Sequence, residues 1–465
     1  MEHGVLSPEL HTLTALEQGA LVRRGEVSAE ELTRWHLERI DAIGPSLNAF
    51  VQVRPSAALA TARALDLERR RDRALPRGPL WGLPTGIKDL HMTRGFFARM
   101  GSRTFRYFLS PIDDVTSAMV RRAGMVIVGK LSTSELGIMP FVETDIHEPT
   151  RNPWDRTRTS GGSSGGSSAA VASGMLPLAP GSDGAGSIRL PAAFCGLLGH
   201  KPTRGLVPNP YDRFETVGIS VVGPLARNVD DAAALLDVLV GPAPRGGSFL
   251  DQARRVPSAL RIRYSLLSPM GSVEPAIARA VERVAGVLAG LGHHVEPGTG
   301  IEGSLEDFLP IFQFLVHNTP APFEHVLQPL TRYLRESGRT VTHAAAMSYR
   351  EQLTRRAAAW FGDADLWLTP TAADFAPKVG TWSGMTGEET MRAAAPLGAL
   401  TAAFNASGQP ATSIPVWDDA SPVPIGVQLI GRHGDDARLL AVARTVMIAM
   451  GEERGRVAGE GPGRG

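Results

Sequence analysis

One run, SGGSSGGSSAAVASGMLPLAPGSDGAGSIRLPAAFCGLLGHKP, spanning residues 160–202, constrains this chain more than any other. It sets two serines among glycines, Ser163 in GGSSGG and Ser187 in DGAGSIR. Glycine lets the backbone take positive φ and lets main-chain N–H groups come close to a ligand. Taken alone, the glycine–serine text would read as a flexible linker. It runs straight into the apolar AAVASGMLPLAP, so the serines are read as part of a folded core. The stretch is no nucleotide loop: it has no GxxxxGK[ST], and no GxGxxG lies between a strand and a helix.

A serine that ends Asp183-Gly184-Ala185-Gly186 can sit among several N–H groups aimed at one point. An acyl-transfer nucleophile needs that setting. It also needs a base. His200 is the nearest histidine, but it follows Leu197-Leu198-Gly199 on the core side. A histidine distant in sequence stays open, and so does lysine, through the Ser–Lys variants of such sites. Lys88 in LPTGIKD is the candidate lysine. As a base it must be uncharged. Lowering a lysine pKa from about 10.4 to near 7 amounts to roughly 4–5 kcal/mol, which burial can supply, and an intervening hydroxyl can relay the proton.

The 465 residues are 43% hydrophobic, enough for a sizeable core. With 48 basic and 47 acidic residues the net charge is +1, and nothing points to nucleic acid. The single cysteine, Cys195, excludes an intrachain disulfide and a thiolate zinc site. In PAAFCGLLG it reads as a small buried hydrophobe. The histidines form no HExxH or HxH cluster, so no metal is expected. The lack of disulfides suits a cytoplasmic location. The N-terminus has no signal-peptide pattern, and no apolar stretch of membrane-spanning length occurs, so no membrane role is expected.

Helical spacing covers 10–24, a segment opened by the Ser28–Glu31 capping box and closed at Gly44-Pro45, 55 to about 73, 116–123, 229–239, 275–291 and 434–450. Residues 167–173 are also helix-capable. Strand patterns occupy 48–53, 125–129, 175–179, 364–370 and 424–430. This alternation predicts an α/β fold. The expected organisation is one domain over 1–455, with a disordered tail at 456–465. Within the domain, 10–75 is an N-terminal helical segment, 80–240 a core and 240–390 a variable region that is hard to read.

GGSSGGSSAAVASG followed by SDGAGSIRLPAAFCG resembles the signature of the amidase signature family of serine hydrolases. LPTGIKD resembles that family's lysine motif. RNPW at 151–154, FNASGQP at 404–410 and PIGVQLIGRHGDD at 424–436 extend the resemblance from about residue 10 to 450, weakly between about 240 and 360. It implies a single large α/β/α domain with a mixed, mostly parallel twisted sheet covered by helices. The implied activity is hydrolysis of linear carboxylic amides, with esters and carbamates as further substrates, through a Ser–cis-Ser–Lys triad and an acyl-enzyme. Ser187 would be the nucleophile, Ser163 the relay and Lys88 the base. The N–H groups of Gly184, Ala185, Gly186 and Ser187 would form the oxyanion hole, and Ser164, Asp183 and Arg189 would brace it.

Phe96, Phe97, Met100 and Phe141 are candidate substrate contacts, together with 136–141 and 308–323. No cofactor is implied. The expected partner is a small-molecule amide, and the expected state is monomer or homodimer. One alternative is the glutamine-hydrolysing component of a tRNA-dependent amidotransferase; a remoter one is a non-catalytic binding homologue. Two departures stand out. SDGAGS replaces the family's TDTGGS or TDIGGS, placing a methyl at Ala185 where the turn could need unusual φ. HKP replaces LKP, with His200 expected to affect packing.

Overall fold

The computed structural model describes residues 9–72, 77–212, 215–242, 247–418, 421 and 423–458. Its strands are β1 (Phe50–Val53), β2 (Pro84–Lys88), β3 (Val126–Leu131), β4 (Leu178–Asp183), β5 (Leu198–Lys201), β6 (Val221–Ala226), β7 (Arg261–Tyr264), β8 (His294–Pro297), β9 (Leu366–Pro370), β10 (Ala411–Val416) and β11 (Ile425–Gly431). A small sheet has the order β1-β3-β2, and a large one β4-β6-β5-β10-β11-β9-β7-β8.

The α/β class and the mixed sheet are as expected, but the large sheet is not mostly parallel. From β4 across to β9 every neighbouring pair is antiparallel; only β7 with β9 and β7 with β8 run parallel. The mostly parallel arrangement was what the family resemblance implied. Yet β10 and β11 are joined by a connection far too short for a crossover, so they must run antiparallel.

Strands β3, β4, β6, β10 and β11 are buried along their whole length; β3 and β11 coincide with the apolar runs at 125–129 and 424–430, whereas β6 and β10 lie where no strand was expected. The helix Gly165–Ala172, GGSSAAVA, is buried at every residue. Its small residues let backbones meet: a Cβ at Gly166 would lie 2.3 Å from Ser132 N and 2.5 Å from Ala49 O.

The Ser28–Glu31 capping box opens the helix Ala29–Leu47 as its spacing predicts. That helix continues through Pro45 and stops at Asn48, whose φ is 54°. A proline this near the end removes one N–H without reversing the chain; the left-handed Asn48 does the reversing. The strand expected at 175–179 begins only at Leu178, after a buried turn.

The hard-to-read middle is largely helical. Leu305–Asn318, Pro329–Ser337, His343–Phe361 and Gly387–Gly398 are all helices, the first with Pro310 and the last with Pro396 inside. Glu135 ties this region to the core. Its carboxylate, pushed up by burial, accepts from Ser102 Oγ (2.6 Å), Thr331 Oγ1 (2.6 Å) and the Gln328 N–H (2.8 Å).

At the start of the segment 456–465, Val457 and Ala458 are buried, and the Ala458 N–H donates to Ala172 O at 2.8 Å. Residues 459–465 lie outside the described residues. Residues 73–76, which include the end of the helix expected over 55 to about 73, do so too; the helix itself is Pro55–Arg71. Among the described residues no helix is long and apolar enough to cross a membrane.

Candidate active site

Strand β2 packs against β4. This brings Lys88, the last residue of β2, beside Ser182 near the end of β4. Lys88 is fully buried. Its Nζ lies 2.7 Å from Ser163 Oγ, 2.9 Å from Ser182 Oγ and 3.3 Å from Ser182 O. Burial draws the ammonium down from 10.5 to about 7, although Asp183 pushes it partly back. An uncharged amine has two N–H groups and one lone pair. The Ser182 carbonyl can only accept from it, and the Ser182 hydroxyl lies closer still. With both N–H groups spent there, the lone pair is left for the Ser163 hydroxyl proton.

Ser163 follows a cis peptide bond from Gly162. Both Ser163 and Ser187 line one cavity, with Ser187 partly exposed to it. Among the described residues no hydrogen bond joins the two hydroxyls. Ser164 sits behind them. Its N–H donates to Ser187 O (3.2 Å), its hydroxyl donates to Ser182 O (3.2 Å) and accepts from the Ser182 N–H (3.3 Å). The loop bearing Ser163 is thus fastened to the turn bearing Ser187.

That turn is built on Asp183. Its carboxylate accepts the N–H of Gly186 at 2.6 Å and of Ile188 at 3.2 Å. Arg189 grips the same carboxylate in a two-pronged pair, Nε to Oδ2 and Nη2 to Oδ1, both at 3.0 Å. Burial alone would raise the Asp183 carboxyl, but the Arg189 guanidinium overrides it and holds it well below the usual range. Asn405 donates to Asp183 O (2.8 Å) and Oδ1 (2.9 Å), while its own oxygen accepts from Arg189 Nη2 (2.6 Å). Gln428 Oε1 and Thr401 O take the remaining prong, at 2.7 and 3.1 Å. Every partner of this buried pair is a fixed polar group, the condition under which a desolvated ion pair is tolerated.

The oxyanion-hole expectation needs one correction. The Gly186 N–H is spent on Asp183, so it cannot also serve a substrate oxygen. Among the described residues the N–H groups of Gly184, Ala185 and Ser187 have no acceptor. The left-handed position is also elsewhere than expected. Gly186 has φ +128°, and a Cβ there would lie 2.3 Å from Thr401 Oγ1; Ala185 is not in that region, so its methyl adds no strain.

Of the four expected substrate contacts, Met100 lines the cavity with Ser163. The others do not line it. Phe96 is core packing beneath the Arg54 guanidinium. Phe97 lies beneath Arg99, and its N–H donates to Gln52 Oε1 at 3.0 Å. Phe141 stacks on Trp382 at 4.3 Å between ring centres. From the 308–323 stretch, Phe312, Leu315 and Val316 do line the cavity. His200 is buried between Thr412 Oγ1 (2.8 Å) and Asp436 Oδ1 (3.1 Å), a polar bridge rather than apolar packing. Cys195 is buried and its thiol is pushed up by burial, as its setting predicts.

Sequence reasoning missed Ser182, Thr401, Asn405 and Gln428. It also missed Tyr211, whose hydroxyl lies 3.2 Å from His91 Nε2 and 3.5 Å from Ser182 Oγ. His91 Nδ1 in turn meets Asp114 Oδ2 at 3.0 Å. Signals were available for Ser182, next to the aspartate that opens the turn, and for Asn405 and Gln428, which lie in FNASGQP and PIGVQLIGRHGDD.

The sequence model of the family described as Amidase matches residues 31–440. The 6-aminohexanoate-cyclic-dimer hydrolase of Pseudomonas sp. (strain NK87) is 32% identical over 472 residues, covering 92% of this chain and 93% of its own. One component of the glutamyl-tRNA(Gln) amidotransferase of Synechococcus sp. (strain CC9605) is 33% identical over 464 residues, covering 91% and 93%. A solved structure of 6-aminohexanoate cyclic dimer hydrolase complexed with substrate superposes with a TM-score of 0.85 at 28% identity, covering 95% of this chain and 97% of that one.

Proposed function

Because this chain belongs to the amidase family, whose enzymes hydrolyse carbon–nitrogen amide bonds, we propose that it cleaves carboxylic amides through an acyl-enzyme on Ser187. Lys88, uncharged, takes the proton of Ser163 as Ser163 takes that of Ser187. The freed Ser187 oxygen attacks the carbonyl carbon. The resulting oxyanion is held by the N–H groups of Gly184, Ala185 and Ser187. The C–N bond then breaks, and the proton returns from Lys88 through Ser163 to the departing nitrogen. Water repeats the cycle on the ester, releasing the acid and restoring the Ser187 hydroxyl. Esters and carbamates present the same carbonyl and are expected as further substrates.

The observation that carries this reading is the 2.7 Å contact between buried Lys88 Nζ and Ser163 Oγ. A lysine drawn down to about 7 is matched to general-base work near neutral pH. The Ser163 and Ser187 hydroxyls, which line the same cavity, are expected to come within hydrogen-bond reach when substrate is bound, as catalytic contacts do elsewhere. A fluorophosphonate probe tests the reading: an adduct on Ser187, absent in Ser187→Ala, is expected. A probe that leaves Ser187 unmodified while amides are still hydrolysed overturns it.

The amidotransferase relative favours a second reading, glutamine hydrolysis for a partner. Against it, the described residues lining the cavities at Ser187 include no arginine or lysine to meet the α-carboxylate of glutamine. A glutaminase assay on the isolated chain separates the two.

A further inference from the structure

Ser187 stands where two cavities meet. Gly137, Ile138, Gly184, Ser187 and Phe312 line both. The larger, of about 380 Å³, also holds Ser163. Its walls include Met92, Met100, Phe105, Phe108 and Tyr211. The smaller, of about 130 Å³, lacks Ser163. Its wall is mostly apolar, with Leu353, Ala395, Ala399 and Ala402 beside Phe308 and Met391, and with Glu302 and Ser304 as its polar members outside the Ser187 turn.

The chemistry decides which half of a substrate enters which cavity. The leaving nitrogen must take its proton from Ser163, so the amine half belongs on the side where Ser163 is. The acyl half, bonded to Ser187, then falls into the other cavity. We infer that the substrates are neutral amides of short aliphatic acids with bulky aromatic amines, the acyl chain lying against Ala395 and the aryl amine against Phe105 and Phe108. This inference rests on the acyl-enzyme reading above.

Size supports the division. An aliphatic cavity of about 150 Å³ accommodates a benzene-sized molecule, so the smaller cavity suits an acyl chain of only a few carbons. The larger has the room for an aryl ring and offers Phe105, Phe108 and Tyr211 as faces on which it packs; the smaller has aromatic and thioether groups too, and it is volume that sets the two apart. The larger cavity's two carboxylates outside the Ser187 turn are already engaged. Glu215 accepts the N–H groups of Gly218, Ile219 and Ser220 at 2.7–3.0 Å. Asp114 accepts from Met92 N and Ser117 N and meets His91. Neither invites a cationic amine.

The larger cavity also carries backbone constraint. Met100 and Leu136, both on its wall, are non-glycine residues at φ 53° and 49°, and the Leu136 N–H donates to Met100 O at 2.8 Å. Non-glycine residues held in this region cluster where a ligand must be met in a set shape.

The test uses p-nitroanilides of acetic to octanoic acid, and benzamides of small alkylamines as the reversed arrangement. Short-chain anilides are expected to exceed the reversed amides at least tenfold in kcat/KM, with the optimum at few carbons. Ala395→Leu should shift that optimum to shorter chains. It should also change the partition of the acyl-enzyme between water and hydroxylamine, because the acyl half is still bound at that stage. Phe108→Ala should lower kcat/KM for large aryl amines about tenfold or more and leave the partition untouched, because the amine has departed. Preference for the reversed amides, or a partition that responds to Phe108→Ala and not to Ala395→Leu, overturns the inference while the fluorophosphonate adduct on Ser187 still stands. Loss of that adduct would instead remove the acyl-enzyme reading itself.

Discussion

Arg189 holds Asp183 with two parallel hydrogen bonds of 3.0 Å, and both side chains are wholly buried beneath the turn that ends in Ser187. Asp183 in turn fixes the amides of Gly186 and Ile188 on either side of the candidate nucleophile. The position of Ser187 therefore depends on a planar guanidinium fork two residues further along the chain.

Replacing that fork tests the dependence. Arg189→Lys keeps the charge but cannot make the two-pronged contact or reach Asn405, Thr401 and Gln428 together. Breaking a buried ion pair costs about 3–5 kcal/mol, and the lysine recovers part of it. A loss of about 3 kcal/mol in urea unfolding is expected, with a large fall in kcat. Unchanged stability would mean that the pair does not carry the turn.

Lys88 sets the pH dependence of activity. Only the uncharged amine can accept the Ser163 proton, and burial brings its titration to about 7. A pH profile of kcat/KM is expected to rise to a plateau through an apparent pKa near 7. Removing the Ser182 hydroxyl, which accepts from Lys88, takes away a group that favours the ammonium. Ser182→Ala should therefore move the rising limb to lower pH. A limb that moves upward would reverse the assigned direction of that hydrogen bond.

The same titration has a consequence for stability. The folded-state value, about 7, lies below the ordinary 10.5. Between these two values the unfolded chain binds more protons, so stability rises with pH across that window. Lys201, also drawn down to about 7 by burial, contributes with the same sign. Below about pH 7 each buried lysine carries its full cost, roughly 5 kcal/mol by the shift alone. Lys88→Met should accordingly gain stability over the wild type at pH 6 and gain less at pH 9. Denaturation at the two pH values checks this; an equal gain at both would show that Lys88 is charged when folded.

Gly186 and Ala185 make a matched pair. Gly186→Ala places a methyl at φ +128° against Thr401 Oγ1, so the turn must shift and carry the neighbouring amides with it. Losing one oxyanion donor costs about 10²–10³ in kcat, and a fall of about that size is expected. Ala185→Gly, at a position needing no left-handed backbone, should leave kcat within about threefold. Steady-state kinetics on the two variants decide between them.

How much of this could be read from the residues differs from part to part. The Ser28–Glu31 cap, the helix Pro275–Gly290 and the buried strands β3, β9 and β11 follow from local spacing and hydrophobicity. The central helices 305–318 and 387–398 did not, because a proline inside each reads as a stop. Strand direction was not legible in the residues, because the order of helices and strands does not say which strands become neighbours. Three aromatic residues expected to meet substrate, Phe96, Phe97 and Phe141, pack instead against arginine and tryptophan side chains.

Residue order alone was enough to mark the nucleophile turn, the glycine-set relay serine and the lysine of LPTGIKD as candidates, because short motifs encode backbone freedom and side-chain chemistry locally. It took the folded chain to bury Lys88 against Ser163 and Ser182, to seat Arg189 on Asn405 and Gln428, and to join two unequal cavities at Ser187. These relations link residues far apart in the chain, and burial, pKa and cavity shape arise only when distant segments together exclude water.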